Sequence, residues 1–316
     1  MKLQAFKAFL CTAATLGVLA LTGAQAQATQ LGGWNYAIDS FNDGTEWDAQ
    51  NKRLIVGQNS HFEFFGMAFR VLEDRIVFAI NSNLSLNGYD LNGARNNKIS
   101  YGDLVLNFTN TASFDAAQSN LFAIRFDSTN DTNVSVVTET QTIDSRGRVR
   151  TTRTNQISPL GLYGGVTTTS LTSVNSGFSS HQHHATEVAK VGGFASLGDL
   201  AANNSYFGYN TAAQTNMKSG TYLGGINMLA ASDLRGLGLN FGHFNATGNH
   251  TFGFSVDRSL LPVGDFIASL FAECGNDGIV MAGSTAVPEP TTMAGTAIAA
   301  GLMYARRRRE KQEASA

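Results

Sequence analysis

Residues 62–81 read FEFFGMAFRVLEDRIVFAIN, and this stretch decides the fold. Two apolar runs, Phe62–Val71 and Arg75–Asn81, flank the break Leu72-Glu73-Asp74. In the second run Ile76, Phe78 and Ile80 alternate onto one face, which is the period of a strand and not of a helix. The stretch therefore predicts a hairpin. The same alternation recurs outward from it, in Leu104, Leu106 and Phe108 and in Phe122, Ile124 and Phe126. Val134–Ile143 and Arg148–Thr154 flank Asp144-Ser145-Arg146-Gly147, a turn whose glycine supplies a positive φ. Nearly all residues of that second hairpin are polar, so it is expected to project from the sheet. Phe252–Val256 and Phe266–Glu273 read as late strands, whereas Ser158–Ser180, rich in Gly, Ser and Thr, reads as loop or irregular sheet. Short helices are expected at Ala185–Val191, at Ser196–Ala202 with Ser196 as cap, and near Met228–Leu234. Short strands with frequent turn signals predict a mainly β fold, an antiparallel sandwich or a jelly-roll-like domain.

The two ends carry a different message. Lys2 and Lys7 precede an apolar run, Phe9–Leu21, and then Ala24-Gln25-Ala26. That is the layout of a secretory signal peptide, with cleavage after Ala26 or Ala28, and the run falls short of the ~20 residues that span a bilayer. At the other end Val287-Pro288-Glu289-Pro290 leads into the apolar stretch Thr291–Ala305 and then Arg306, Arg307, Arg308 and Arg309. Proline fixes its own φ and lacks an N–H, so the first element is extended. The arginines are costly to move across a membrane and hold the cytoplasmic side. The expected division is a signal peptide (1–28), an extracytoplasmic β domain (29–285) and a tail (286–316) with a short membrane helix.

In that order of elements the tail resembles the PEP-CTERM sorting signal, whose bearers are substrates of exosortase, a membrane-embedded cysteine transpeptidase. The body segments Gly33–Ser40, Phe65–Phe69, Ser100–Leu104 and Glu273–Asp277 resemble a family of exosortase-dependent surface proteins common in cyanobacteria. The resemblance implies export, transient membrane anchoring and a final place at the cell surface or outside it. Signal peptidase and an exosortase-type enzyme are the partners it implies. It implies no activity.

Composition narrows the function further. Charged residues make up 15%, against 33 Gly and 21 Phe, which suits an extracellular β protein better than a cytosolic α/β enzyme. Of 22 basic and 24 acidic residues, the leader takes two Lys and the tail from Pro288 takes five basic and three acidic residues, leaving 15 against 21. A domain at net −6 has no electrostatic reason to seek nucleic acid. Of the two cysteines, Cys11 leaves with the leader and Cys274 stays alone, so no intramolecular disulfide is expected.

Three groups are candidates for chemistry. Asp90, Asn92, Asn96 and Asp103 put oxygen atoms around a glycine-containing loop, as a calcium site requires, and equally as Asx-capped turns require. Calcium is a cofactor candidate here, and no cofactor is required. His181, His183 and His184 are a second candidate, for zinc or copper, with Glu187 the nearby carboxylate. Glu63, Glu73, Asp103, Asp127 and Asp265 are the carboxylates from which a glycosidase pair would have to come. No nucleophile elbow, zinc-protease or phosphate-loop motif occurs, so no catalytic residue is assigned. Trp34, Tyr36 and Trp47 are stacking platforms for sugar rings if exposed and core residues if not. Two function classes stay open: a non-catalytic surface or matrix protein, and a carbohydrate-active protein, either a lectin-like binder of extracellular polysaccharide or a hydrolase.

Overall fold

The computed structural model describes residues 29–286. The leader, the sorting segment Val287–Pro290 and the arginine cluster Arg306–Arg309 lie outside the described residues. The chain is mainly β, 44% strand against 11% helix. Every strand ladder is antiparallel; the isolated bridge Gly198–Val280 is parallel. Among the described residues no helix is long and apolar enough to cross a membrane.

Two six-stranded sheets carry the structure. In spatial order the first holds Thr29–Leu31, Trp34–Ile38, Phe64–Val71, Arg75–Ser82, His250–Asp257 and Asn227–Ala230. The second holds Asn216–Gly224, Gly161–Thr169, Leu121–Arg125, Leu104–Asn107, Asp265–Phe271 and Gly278–Ser284. The opening stretch of sequence is a hairpin, with Val71 paired to Ile76 and Phe69 to Phe78.

The two sheets share one apolar core. Ile76, Phe78 and Ile80 of the first sheet meet Leu104, Leu106, Ile124, Phe266 and Leu270 of the second. Phe126 stacks on Phe254 with ring centroids 4.9 Å apart, and Phe69 meets Phe266 edge-on at 5.0 Å. Each sheet is also covered on its outer face. Val77 and Ala79, the small residues between the large ones, pack with Trp34, Tyr36, Leu234 and Phe241. On the other side Val105, Ala123 and Tyr163 pack with Phe114, Tyr206 and Phe207. Strand Phe64–Val71 is accordingly buried along most of its length and does not alternate with solvent.

The polar hairpin forms as expected, Ser135–Ile143 against Val149–Ile157, with Gly147 at φ +73°. Its second strand is exposed throughout. Within Ser158–Ser180, read as loop or irregular sheet, a nine-residue strand forms, Gly161–Thr169, with register shifts along its pairing, and its Leu162 and Tyr163 enter two different cores. Two expectations are corrected. The first helix starts earlier, at His181, because the Ser180 hydroxyl accepts the His183 N–H and caps it. Ser196–Ala202 is no helix. It is a tight hairpin of Ser196–Leu197 with Leu200–Ala201, turning at Gly198, where φ is +61°. Ser196 and Asp199 resemble a helix cap in sequence, but their side chains serve other partners, Asp39 and the Ala282 N–H.

Candidate functional site: a buried carboxylate cluster beside an aromatic cavity

Strand Trp34–Ile38 of the first sheet ends at Asp39, and the chain then loops through Asp43 and Gly44 into strand Thr45–Asp48. In the second sheet the turn between Asp265–Phe271 and Gly278–Ser284 carries Asp277. The loop and the turn are tied together, because the Thr45 N–H donates to the Asn276 carbonyl at 3.0 Å and Asn276 Nδ2 donates to the Thr45 carbonyl at 2.9 Å. This brings Asp39, Asp43 and Asp277 into one buried group whose carboxylate oxygens lie within 4.8 Å of one another. Glu63 adjoins it. A Cβ on Gly44 would sit 2.4 Å from the Glu63 Cα, so only glycine lets the loop close enough for its N–H to reach Glu63 Oε2 at 2.8 Å.

Each acid is oriented through specific donors. Asp39 Oδ1 accepts from the N–H groups of Ser40 and Gly198, both at 2.9 Å, and from the Ser196 hydroxyl. Asp43 Oδ2 accepts from the Ser196 N–H at 2.6 Å, and Asp277 Oδ2 from the Phe64 N–H at 2.7 Å. The other oxygens of three of them, Asp39 Oδ2, Asp43 Oδ1 and Glu63 Oε1, are buried with no partner. Among the described residues no lysine or arginine forms an ion pair with any of the four. Burial raises the pKa of all four, and mutual repulsion among the carboxylates raises those of Asp43, Glu63 and Asp277 further.

Both segments also contribute to the lining of a cavity of about 330 Å³. Glu46, Trp47, Phe62, Tyr89, Asn175 and Asn276 line it. Trp47 is 61% exposed, whereas Trp34 and Tyr36 are core residues, Trp34 donating its indole N–H to the Leu237 carbonyl at 2.8 Å. Glu46 is held from two sides, by the Tyr89 hydroxyl at 2.9 Å and by His61 Nδ1 at 2.7 Å. The His61 ring lies 4.7 Å from that of Tyr89. Burial, with the Glu46 hydrogen bond adding to it, pushes the Tyr89 phenol up to about 12, so it stays a donor. Glu46 is the one carboxylate lining this cavity.

The residues singled out in the sequence are placed as follows. Asp90 is exposed and paired with Lys98 Nζ at 2.5 Å. Asp103 is buried, its oxygens taken by Asn130 Nδ2, the Thr132 hydroxyl and the Met217 N–H. Asn96 donates to the Thr129 carbonyl at 2.9 Å, and Asn92 lies in the exposed turn Leu91–Asn97. Their oxygens serve turns and a buried network, and they do not converge. His181 and His184 do share a buried helix face, His184 Nε2 bonding the Asp43 carbonyl at 2.9 Å, and burial lowers each imidazole to about 4. His183 stands apart on the exposed side with Glu187. Asp127 is buried, and Glu73 and Asp265 are exposed. Cys274 is a free buried thiol, pushed up to about 12 by desolvation, which makes it inert.

Sequence reasoning missed Asp39, Asp43 and Asp277. Asn42-Asp43-Gly44 and Asn276-Asp277-Gly278 are each an Asn-Asp-Gly triplet, a repeat that could have drawn attention to two of the three. Comparison with protein-family models, with curated proteins and with solved structures returns no match for this chain.

Proposed function

We propose that the chain is an exported surface or extracellular-matrix protein that works without catalysis and is sorted through its C-terminal tail by an exosortase-type enzyme. The signal-peptide layout and the Pro-Glu-Pro, apolar and arginine order support export and sorting. The observation that carries the non-catalytic reading is the placement of the acids. Hydrolysis of a glycoside takes two carboxyl groups facing one substrate, and the aromatic cavity offers Glu46 alone. The clustered acids are buried and oriented by backbone N–H groups. Two antiparallel sheets around a common core read as a sandwich, a form suited to display. The test is the location and processing of the chain in its own cell, treated at the close of the Discussion.

A second reading is favoured by one feature, the cavity beneath Trp47. An exposed indole, a half-buried phenol and the polar side chains of Glu46, Asn175 and Asn276 in the lining resemble what a sugar ring needs: an apolar face to stack on and polar groups around it. In this reading the protein binds extracellular polysaccharide at that cavity. Trp47→Ala should weaken such binding roughly 10- to 100-fold, the worth of one stacked aromatic anchor, with the melting temperature nearly unchanged because the indole is 61% exposed. A glycan array with the purified chain and this variant decides it. Identical profiles for the two proteins, or no bound glycan at all, would remove the reading.

A further inference from the structure

We propose that Asp39, Asp43 and Asp277 hold a calcium ion, and that this ion fixes the two segments that carry Trp47 and Asn276 to the cavity. Geometry comes first. Calcium takes oxygens at ~2.3–2.6 Å, so ligands on one ion stand no more than about 5 Å apart. The three carboxylates meet that limit, with oxygens within 4.8 Å.

The second ground is independent of the clustering. Asp39 Oδ2 and Asp43 Oδ1, and Glu63 Oε1 beside them, are buried acceptors without a partner, on side chains that are 6%, 0% and 0% exposed. Buried acceptors are otherwise almost always satisfied. In Asp39, Asp43 and Glu63 one oxygen is fixed by N–H or O–H donors and the other is left free, while Asp277 has both oxygens held, Oδ2 by the Phe64 N–H and Oδ1 by the Gly278 N–H. Such an arrangement is a set of pre-oriented ligands that lacks only a cation, and among the described residues no side-chain cation is supplied.

The donor set selects the ion. All available atoms are oxygens, which suits hard cations and disfavours zinc or copper. The nearby imidazole of His184 spends its Nε2 on the Asp43 carbonyl. Magnesium demands an octahedron and keeps several waters, whereas calcium accepts an irregular, carboxylate-rich shell. Ser196 and Gly198, which bond Asp39, border an open cavity of about 470 Å³.

The link to the aromatic cavity is through the chain. Asp43 lies four residues before Trp47, and Asp277 directly follows Asn276. An ion bridging Asp43 and Asp277 would therefore clamp the loop to the turn that the Thr45–Asn276 hydrogen bonds already join. The ion site stands whether or not the cavity takes a sugar, since it is measured with no glycan present.

The experiment is calorimetric titration of the full chain, stripped with EGTA, using calcium, magnesium and manganese chlorides. One calcium per chain is expected, with a melting temperature raised by roughly 5 °C or more at saturation. Asp43→Asn and Asp277→Asn should each weaken binding at least tenfold, and Asp90→Asn should leave it unchanged. Iodide should quench Trp47 less once calcium is bound, while buried Trp34 stays protected either way. If the variants fail to fold, the titration of the unaltered chain still decides. Absence of binding by all three ions overturns the site, as does binding that survives both cluster variants or is lost in Asp90→Asn. Tighter binding of magnesium or manganese overturns the choice of calcium, and unchanged iodide quenching overturns the clamp.

Discussion

Phe254→Ala should lower the stability of the β domain by about 3–5 kcal/mol, the cost of removing a phenyl group from a packed core. Phe254 is fully buried and lies in the first sheet, paired with Phe78 of the adjacent strand. Its ring stacks on that of Phe126 at 4.9 Å with an interplanar angle of 18°, and Phe126 follows a strand of the second sheet. The residue thus bridges the two layers at a point where both depend on it. Domains of this kind have only about 5–15 kcal/mol to lose, and no disulfide forms among the described residues to hold the layers together. Thermal melting should show a fall of roughly 10 °C. Val263→Ala, at a side chain 73% exposed, should move the midpoint little. Equal effects from the two substitutions would mean that the sheets do not pack through this stack.

A second large effect is expected at Glu273, and it depends on pH. Glu273 is buried in the network around Asp103, its Oε1 accepting from the Asp131 N–H at 2.6 Å and from Asn216 Nδ2 at 2.7 Å. Desolvation pushes the carboxyl up from 4.5 to about 8, the hydrogen bonds opposing only in part and Asp131 and Asp103 adding repulsion. An acid whose folded pKa lies above its unfolded value holds its proton more tightly when folded. Its contribution to stability is therefore complete below about pH 4.5 and is lost as the pH rises toward about 8. Each unit of pKa difference is worth ~1.4 kcal/mol, so the loss is on the order of a few kcal/mol. Glu273→Gln keeps the shape and an acceptor for Asp131 and Asn216 but cannot ionise. The variant should match the parent within about 1 kcal/mol at pH 5 and exceed it by a few kcal/mol at pH 8.5. Stability curves that run parallel across that range would contradict the assignment.

Much of the fold was legible because its signal is local. The hairpin at 62–81 shows its period in a few residues, and Asp144–Gly147 shows its turn. The strand Gly161–Thr169 was legible only as loop or irregular sheet, because glycine and threonine carry little hydrophobic pattern even where neighbours bury them. Ser196–Ala202 misled because a Ser with an acid three residues on has the same spacing whether it caps a helix or reaches across to another loop. The candidate site was the least legible part. Asp39 and Asp277 are far apart in sequence and meet only when both sheets are assembled. Asp90 and Asp103 were more conspicuous because they are close in sequence, yet one faces solvent and the other is buried among its own donors. Trp34, Tyr36 and Trp47 were indistinguishable as platforms until burial separated them.

The central claim, that this chain is exported, held briefly at the membrane and then processed to a surface or extracellular form, is tested most directly by its two ends. Mass spectrometry of the protein recovered from the surface and extracellular fractions of its own cells reads both. An N-terminus following Ala26 or Ala28 is expected, together with loss of the peptide Arg306–Ala316. Replacing Pro288, Glu289 and Pro290 by alanine should leave the uncut chain with the membranes. Recovery of the chain from the cytosol with the leader still attached would contradict export. Recovery from the surface with Arg306–Ala316 intact, in cells that have an exosortase, would contradict processing.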